Sequence, residues 1–197
     1  MEKDIRAHVL RVALEELNQC GPAFHMDDLA RRLHISKRTL YENFSSKQEI
    51  VKNAILSVMD DLYTHHVKLI EDESKTVEEK LLTYFDARSE MVEIISLRQY
   101  EAILRKMPEI APELAEASKR DWNLLLNFLQ DVAQSDEYKD FYVFALLHML
   151  MGAATNILNH LDELEDDKYY SYPKYMEECM RIACYTALRS KRRIHLL

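Results

Sequence analysis

The sequence contains very little glycine and proline, and this scarcity restricts the fold it can form. Only two glycines and four prolines occur among 197 residues, whereas hydrophobic residues make up 48%. Because glycine and proline punctuate turns and loops, the composition predicts a nearly all-α protein with short connections. The two glycines, Gly21 and Gly152, also exclude a glycine-rich loop that would cradle a phosphate.

Cysteine is equally scarce. Cys20, Cys179 and Cys184 are an odd number with no paired spacing, which argues against a disulfide framework. The sequence shows no signal peptide, no transmembrane run and no internal repeat. These absences predict a protein of the reducing cytoplasm.

Motifs of enzymes and metal sites are missing as well. Nothing resembles a nucleophile elbow, a phosphate loop or a paired-carboxylate site, so we predict that the protein is not an enzyme and needs no cofactor. The pairs of histidines and cysteines that stand near each other in the sequence do not share a helical face, which predicts no metal site. These pairs are His65 with His66, His148 with His160, and Cys179 with Cys184.

The net charge of −8 is distributed unevenly along the chain. Residues 1–60 contain nine basic and nine acidic residues, so the excess of negative charge lies entirely in the remaining 137 residues. Residues 31–52 carry six basic side chains against two acidic ones. A local basic patch on an acidic body suits a small footprint on DNA and disfavours phosphate contacts elsewhere.

The basic patch coincides with residues 24–50, which read FHMDDLARRLHISKRTLYENFSSKQEI. Apolar residues recur at intervals of three and four between Met26 and Leu33, and Asp27 and Asp28 lie where a helix start favours negative charge. This pattern predicts a short amphipathic helix with His25 at its N-cap.

Two further helix starts follow within a few residues. Ser36 is a good N-cap for a second helix, whose apolar face is formed by Leu40, Tyr41 and Phe44. Ser46 and Glu49 match a capping box that opens a third helix. Two short helices joined by a three-residue turn and followed by a longer helix predict a helix-turn-helix.

The second helix of this motif carries hydrogen-bond donors that avoid its apolar face, as entry into a major groove requires. The run LARRLHISKRTLYENFSSKQEIV closely resembles the signature of the TetR (tetracycline repressor) family of bacterial regulators, over roughly residues 5–60. The resemblance implies an all-α fold and contacts with operator DNA. Candidate base or groove contacts are Lys37, Arg38, Thr39 and Asn43, and candidate phosphate contacts are His25, Ser36, Tyr41 and Lys47.

The sequence departs from the family pattern at two positions. His25 replaces the usual Thr or Ser, which makes it a poorer cap. His34 stands where the turn usually has Gly, so we expect His34 to adopt a positive φ, which His tolerates better than most residues.

The remaining chain predicts further helices, about nine in all. A first helix over 3–19 should end at Gly21-Pro22, and the helix that opens near Lys47 should continue through Leu62. Thr76 and Glu79 form a capping box for a helix with one flank from Leu81 to Ile95. Later helices are predicted over 94–106, 113–134 and 141–161, and from Pro173 to about residue 189.

We place the domain boundary after residue 60, with the DNA-binding domain at 1–60 and a helical effector-binding and dimerisation domain at 61–197.

The last two helices are too apolar to bury within one small domain. A homodimer with a four-helix interface would cover them, and the family resemblance implies the same assembly. A two-fold pair would also read a pseudo-palindromic operator.

A small-molecule effector is expected in the C-terminal core, where polar groups lie on apolar faces. Candidate pocket residues are Tyr84, Arg88, Trp122 and His148, although each of these fits ordinary packing as well. The prediction is therefore a ligand-released dimeric repressor. An activator that needs no ligand and a helical protein-interaction dimer remain as alternatives.

Overall fold

The computed structural model describes residues 2–86, 97–135, 141–160 and 172–185. Within these ranges the chain forms nine α-helices and no strand, which confirms the all-α prediction. The helices are α1 Glu2–Cys20, α2 Met26–Arg32, α3 Lys37–Asn43, α4 Lys47–Glu71, α5 Val77–Thr83, α6 Leu97–Lys106, α7 Ala111–Gln134, α8 Val143–Asn159 and α9 Tyr172–Ala183. In the described part of the chain, no helix is both long and apolar enough to cross a membrane.

The predicted stop of the first helix is confirmed. α1 ends at Cys20, and Gly21 follows with a φ of 60°, in the left-handed region that glycine adopts without steric cost. A Cβ atom at Gly21 would lie 3.0 Å from Oε1 of Gln99 on α6. Gly21 thus permits both the sharp turn and the close approach of α6.

α4 is the longest helix, with 25 residues, and it continues past Leu62 as predicted. Its first half is buried through Ile50, Val51, Ala54 and Ile55. An uninterrupted helix of this length spans almost 40 Å, at about 1.5 Å per residue.

α5 is shorter than the sequence predicted. The capping box is confirmed, because Thr76 Oγ1 accepts from the Glu79 backbone N–H at 3.2 Å and the Glu79 carboxylate accepts from the Thr76 N–H at 2.8 Å. The α-helix ends at Thr83, however, and a 3₁₀ turn follows over Tyr84–Asp86. The prediction of an unbroken α-helix is therefore wrong at Tyr84, which is buried in the 3₁₀ turn, and the part of the predicted flank over residues 87–96 lies outside the described residues.

The described residues fall into two compact units. The first comprises the described residues 2–63 with 97–119, and its core joins α1 to the helix-turn-helix and to the α6–α7 segment. Ile103, Met107, Ile110 and Leu114 belong to this core. The predicted boundary after residue 60 stays a prediction; the structure adds α6 and the start of α7 to the packing around the head.

The second unit comprises the described residues 64–86, 120–135, 141–160 and 172–185. Its core is formed by apolar side chains of α5, α7, α8 and α9, among them Leu81, Leu129, Leu150 and Met180. α7 and α8 match the predicted 113–134 and 141–161 within two residues, and α9 begins one residue before Pro173.

Candidate nucleic-acid interface

The seven-residue helix α3 is oriented by its buried face. Leu40 and Phe44 are almost completely buried, which fixes the opposite face toward solvent. Lys37, Arg38 and Tyr41 are exposed to solvent. The predicted cap is confirmed, because Ser36 Oγ accepts from the Thr39 backbone N–H at 3.0 Å.

The turn before α3 has the predicted backbone conformation. His34 has a φ of 55°, which confirms the expected positive φ at the position that usually carries Gly. The N–H of Ile35 donates to the carbonyl of Ala30 at 3.1 Å, and the N–H of His34 donates to the carbonyl of Arg31 at 3.1 Å. These bonds close the turn that sets α3 against α2.

The cationic side chains of α3 are paired with carboxylates. Lys37 Nζ lies 2.8 Å from Asp27 Oδ1, on the first turn of α2. This contact raises the pKa of Lys37 and lowers the pKa of Asp27, in both cases chiefly through the hydrogen bond and then through the charge of the partner. Arg38 Nε lies 2.9 Å from Glu42 Oε1, one helical turn away.

Thr39 and Asn43 already take part in local hydrogen bonds. Thr39 Oγ1 lies 2.8 Å from Ser36 Oγ, and Asn43 Nδ2 donates to the Thr39 carbonyl at 2.9 Å. Both side chains are half-buried, and each retains hydrogen-bonding capacity beyond these contacts. Base contacts by either residue stay predictions.

Lys47 makes contacts that the sequence did not predict. Its Nζ donates to the carbonyls of Pro22 and Phe24, at 2.6 and 2.5 Å, and lies 4.4 Å from the centre of the Phe24 ring. Burial lowers the pKa of Lys47. The ammonium therefore ties the start of α4 to the segment before α2. Because an ammonium has three N–H donors, the predicted phosphate contact remains a prediction.

The start of α4 is capped differently from the predicted box. Ser46 Oγ accepts from the Glu49 N–H at 3.1 Å, as expected. The Glu49 carboxylate, however, accepts from the N–H and hydroxyl of Ser45, each at 2.7 Å, and not from Ser46. The predicted bond from the Ser46 backbone N–H to the Glu49 carboxylate is therefore wrong by one residue. The chain before α4 brings the donors of Ser45 to this carboxylate instead.

Arg6 is a residue of the head that sequence reasoning missed. Its guanidinium lies 4.2 Å from the centre of the Phe44 ring, donates to the Asn43 carbonyl and reaches Glu49 Oε1 at 3.4 Å. Arg6 thus joins α1 to the connection between α3 and α4. Its position in a different helix, 37 residues before Asn43, gave no local signal.

The last two predicted phosphate contacts lie on the surface. His25 is exposed at the N-cap of α2 without a side-chain capping bond, which agrees with its weakness as a cap. Tyr41 is 46% exposed, so its predicted place on the apolar face of α3 is wrong, and only Leu40 and Phe44 of that predicted face are buried. Both side chains are accessible to a duplex.

The candidate pocket residues lie in different environments. Tyr84 is buried and stacks on His66, with ring centroids 4.0 Å apart, and Trp122 joins the same cluster through Phe85. His148 is exposed on α8 and is therefore not one of its core residues. Arg88 lies outside the described residues. The structure therefore brings two of the four together.

His66 is the buried polar residue of this aromatic cluster, and the sequence did not single it out as a pocket residue. Its Nδ1 lies 2.7 Å from Asp121 Oδ1, and only 2% of the residue is exposed. Its Nε2 has no hydrogen-bond partner among the described residues. A buried nitrogen of this kind is uncommon, because most buried polar atoms in proteins are paired.

These features define a helix-turn-helix DNA-binding protein. Residues 9–54 match the family described as bacterial regulatory proteins, tetR family. A relative from Bacillus subtilis (strain 168), named as the uncharacterized HTH-type transcriptional regulator YvaF, is 25% identical over 157 residues, which cover 80% of each chain. The chain is thus similar to transcriptional regulators with a helix-turn-helix, and its helix-turn-helix segment matches the tetR family.

Solved structures share the fold over nearly the whole chain. A protein described as a TetR-family regulator from Mesorhizobium loti has a TM-score of 0.69 and 15% identity, covering 94% of this chain and 97% of its own. The TetR-family regulator PfmR from Thermus thermophilus has a TM-score of 0.62 and 20% identity, covering 94% and 99%. The flavonoid-responsive regulator FrrA has a TM-score of 0.58 and 19% identity, covering 91% and 95%.

Proposed function

We propose that this protein is a cytoplasmic, dimeric transcriptional repressor that binds a pseudo-palindromic operator and is released by a small-molecule effector. The observation that carries the proposal is the presentation of α3. Ser36 caps the helix, while buried Leu40 and Phe44 leave Lys37 and Arg38 on the solvent side. A helix that presents donors in this way can enter a major groove and read a few base pairs.

The eight predicted contacts divide into two groups with different consequences. Side chains that reach base edges select the sequence, whereas contacts with phosphates set the position of the protein on the duplex. The proposed base contacts are Lys37, Arg38, Thr39 and Asn43, and the proposed phosphate contacts are His25, Ser36, Tyr41 and Lys47.

The apolar surface of the last two helices supports the proposed dimer. Met149 on α8 and Ile182 on α9 are 67% and 63% exposed, and Phe144 is 49% exposed. A contiguous exposed apolar patch marks a surface of association, and we propose that these side chains belong to one. A second copy of the chain that contributes the same helices would cover them in a four-helix interface and pair two heads for two half-sites.

The aromatic cluster around His66 supports an effector site in the second unit. His66 Nε2 offers a buried hydrogen-bonding atom on a ring that stacks on Tyr84, and Tyr84 in turn contacts Phe85, which contacts Trp122. Ligand sites combine apolar walls with a few fixed polar groups in this manner. We expect an effector with an aromatic body and a polar group that bonds to His66.

The position of His66 on α4 suggests how an effector would act on the head. α4 is one continuous helix whose first residue, Lys47, holds the carbonyls of Pro22 and Phe24. An effector that binds more tightly to one position of α4 would shift the population toward heads that no longer fit both half-sites.

The proposal is tested by selecting DNA from a random duplex library with the purified protein, followed by footprinting of the enriched sequence. We expect a pseudo-palindrome with half-sites about 10 base pairs apart, or a multiple of one turn. Lys37→Ala or Thr39→Ala should weaken binding to this operator more than to random duplex. Lys119→Ala, an exposed lysine of α7, is the control. If no sequence is enriched, the protein-interaction alternative replaces the DNA-binding proposal.

The effector is tested by screening small aromatic compounds for loss of operator binding. His66→Phe should retain operator binding but lose the response to compounds that release the parent protein. A response that is equal in both proteins would contradict the role of His66. If no compound releases the parent protein, a regulator without a ligand replaces this part of the proposal.

A further inference from the structure

We propose that Asp27 is a specificity-determining residue that masks Lys37 from phosphates and so suppresses binding to non-operator DNA. The inference rests on the proposed DNA contact by α3. Its basis is the ion pair between Lys37 Nζ and Asp27 Oδ1, 2.8 Å apart, on the surface that carries the candidate DNA contacts.

The Asp27–Lys37 pair is a tertiary contact that joins α2 to α3, whereas the tertiary ion pairs of Arg32 join α2 to Glu15 and Glu16 of α1. Asp28 pairs with Arg31 at 3.2 Å and Arg38 pairs with Glu42 at 2.9 Å, each within one turn of its own helix. Asp27 and Lys37 instead belong to α2 and α3, and the turn through His34 brings them together. The helix-turn-helix geometry itself therefore places a carboxylate against the first cation of α3.

The pair has little effect on folding but a direct effect on the charge that faces DNA. The two side chains are 51% and 64% exposed, and exposed ion pairs contribute little to stability. Non-specific affinity depends on the number of cations that replace counterions on the phosphates. A lysine that is neutralised by a carboxylate 2.8 Å away contributes little to this number.

On the operator, Lys37 exchanges one partner for another. A guanine presents two acceptors, N7 and O6, in the major groove, and these can replace the carboxylate of Asp27. On other DNA sequences, Lys37 would gain only a phosphate contact when it leaves Asp27. The carboxylate of Asp27 would then stand unpaired beside the negatively charged DNA backbone. The pair therefore opposes non-specific binding more strongly than it opposes operator binding.

The experiment measures binding of a labelled random duplex and of the selected operator by fluorescence anisotropy at several salt concentrations. Asp27→Asn should bind the random duplex roughly threefold to tenfold more tightly, with a salt slope steeper by about one, as one additional phosphate contact requires. Operator affinity should rise less, so that the ratio of specific to non-specific affinity falls. Asp28→Asn is the matched control, because it removes the same charge from the same helix turn without touching Lys37.

A further variant, made in a protein that lacks Lys37, distinguishes the effect of the ion pair from the effect of net charge. In a Lys37→Ala protein, the additional Asp27→Asn change should leave non-specific affinity nearly unaltered. An equal gain in Asp28→Asn, or a full gain in the absence of Lys37, would overturn the inference while leaving the proposed function intact. Loss of sequence-selective binding in the parent protein would instead refute the proposed function.

Discussion

Individual residues of the head combine proposed contacts with DNA and observed contacts that hold the head together. Lys47 illustrates this at the start of α4. Its ammonium bonds to the carbonyls of Pro22 and Phe24 and lies over the Phe24 ring. The motif identified Lys47 as a candidate for phosphate binding, but the carbonyls that it holds became visible only after folding.

Replacement of Lys47 by methionine should lower the free energy of unfolding by about 1–3 kcal/mol, because two buried carbonyls lose their donor. Urea denaturation followed by circular dichroism measures the change. Lys37→Met is the control, since it breaks only an exposed ion pair, and it should leave the unfolding midpoint almost unchanged. Equal midpoints for parent and Lys47→Met would contradict the structural role.

Glu49 makes the stability of the head depend on pH. The hydroxyl of Ser45, then its N–H, and finally Arg6 lower the pKa of Glu49 below its ordinary value of 4.5. A carboxylate with a lowered pKa in the folded state contributes stability that is complete above 4.5 and is lost as the pH falls through the lowered value. Glu49→Gln should therefore be less stable than the parent near neutral pH, and the difference should shrink in acid.

Thermal unfolding of both proteins from about pH 2 to about pH 7 measures this difference, because the range extends well below the ordinary glutamate pKa of 4.5. Ser45→Ala removes only the hydroxyl donor, so it should reproduce part of the Glu49→Gln effect with the same dependence on pH. A difference between parent and Glu49→Gln that stays constant down to the lowest pH would show that the carboxylate charge is not involved.

At the scale of the element, helix boundaries follow local chemistry where a cap is present. The sequence correctly predicted the starts at Ser36 and Thr76 and the stop at Gly21, because each depends on side-chain and backbone groups within a few residues. The predicted continuation of α5 past Thr83 was wrong. Its 3₁₀ turn contains Tyr84, whose ring stacks on His66 of α4, a contact that local periodicity does not contain.

The two glycines have opposite structural roles, at the turn after α1 and within α8, so their replacement should change stability in opposite directions. Gly21→Ala should lower the free energy of unfolding by roughly 1–2 kcal/mol, because alanine is strained at a positive φ and its Cβ would approach Gln99 at 3.0 Å. Gly152 lies within α8, where an added Cβ would meet nothing within 4 Å, so Gly152→Ala should raise stability by about 0.5–1 kcal/mol. Differential scanning calorimetry of the two variants should show shifts of opposite sign.

At the scale of the whole molecule, the exposed apolar side chains of α8 and α9 form the surface that we propose for dimerisation. Met149→Glu or Ile182→Glu places a charge on the surface that we propose a second copy covers. Each change should convert the dimer to a monomer and weaken operator binding, because two linked half-sites are read together. Sedimentation velocity measures the mass, and anisotropy measures the affinity.

Ala115→Glu, at an exposed position of α7, is the control and should leave both mass and affinity as in the parent. A parent protein that sediments as a monomer at the concentrations of the binding experiment would contradict the dimer. A dimer that survives both charged substitutions would place its interface elsewhere on the molecule.

The sequence by itself determined the all-α class, the helix-turn-helix and the exposed donors of α3, because these depend on residue spacing, caps and turn chemistry within short stretches. Only the tertiary structure decided that Arg6 joins α1 to α4, that Lys47 holds two carbonyls, that Asp27 faces Lys37, and that His66 is buried against Asp121. Each of these contacts joins residues of different elements that lie well apart in the chain. Their distances are set by how the helices pack, which no local pattern of residues records.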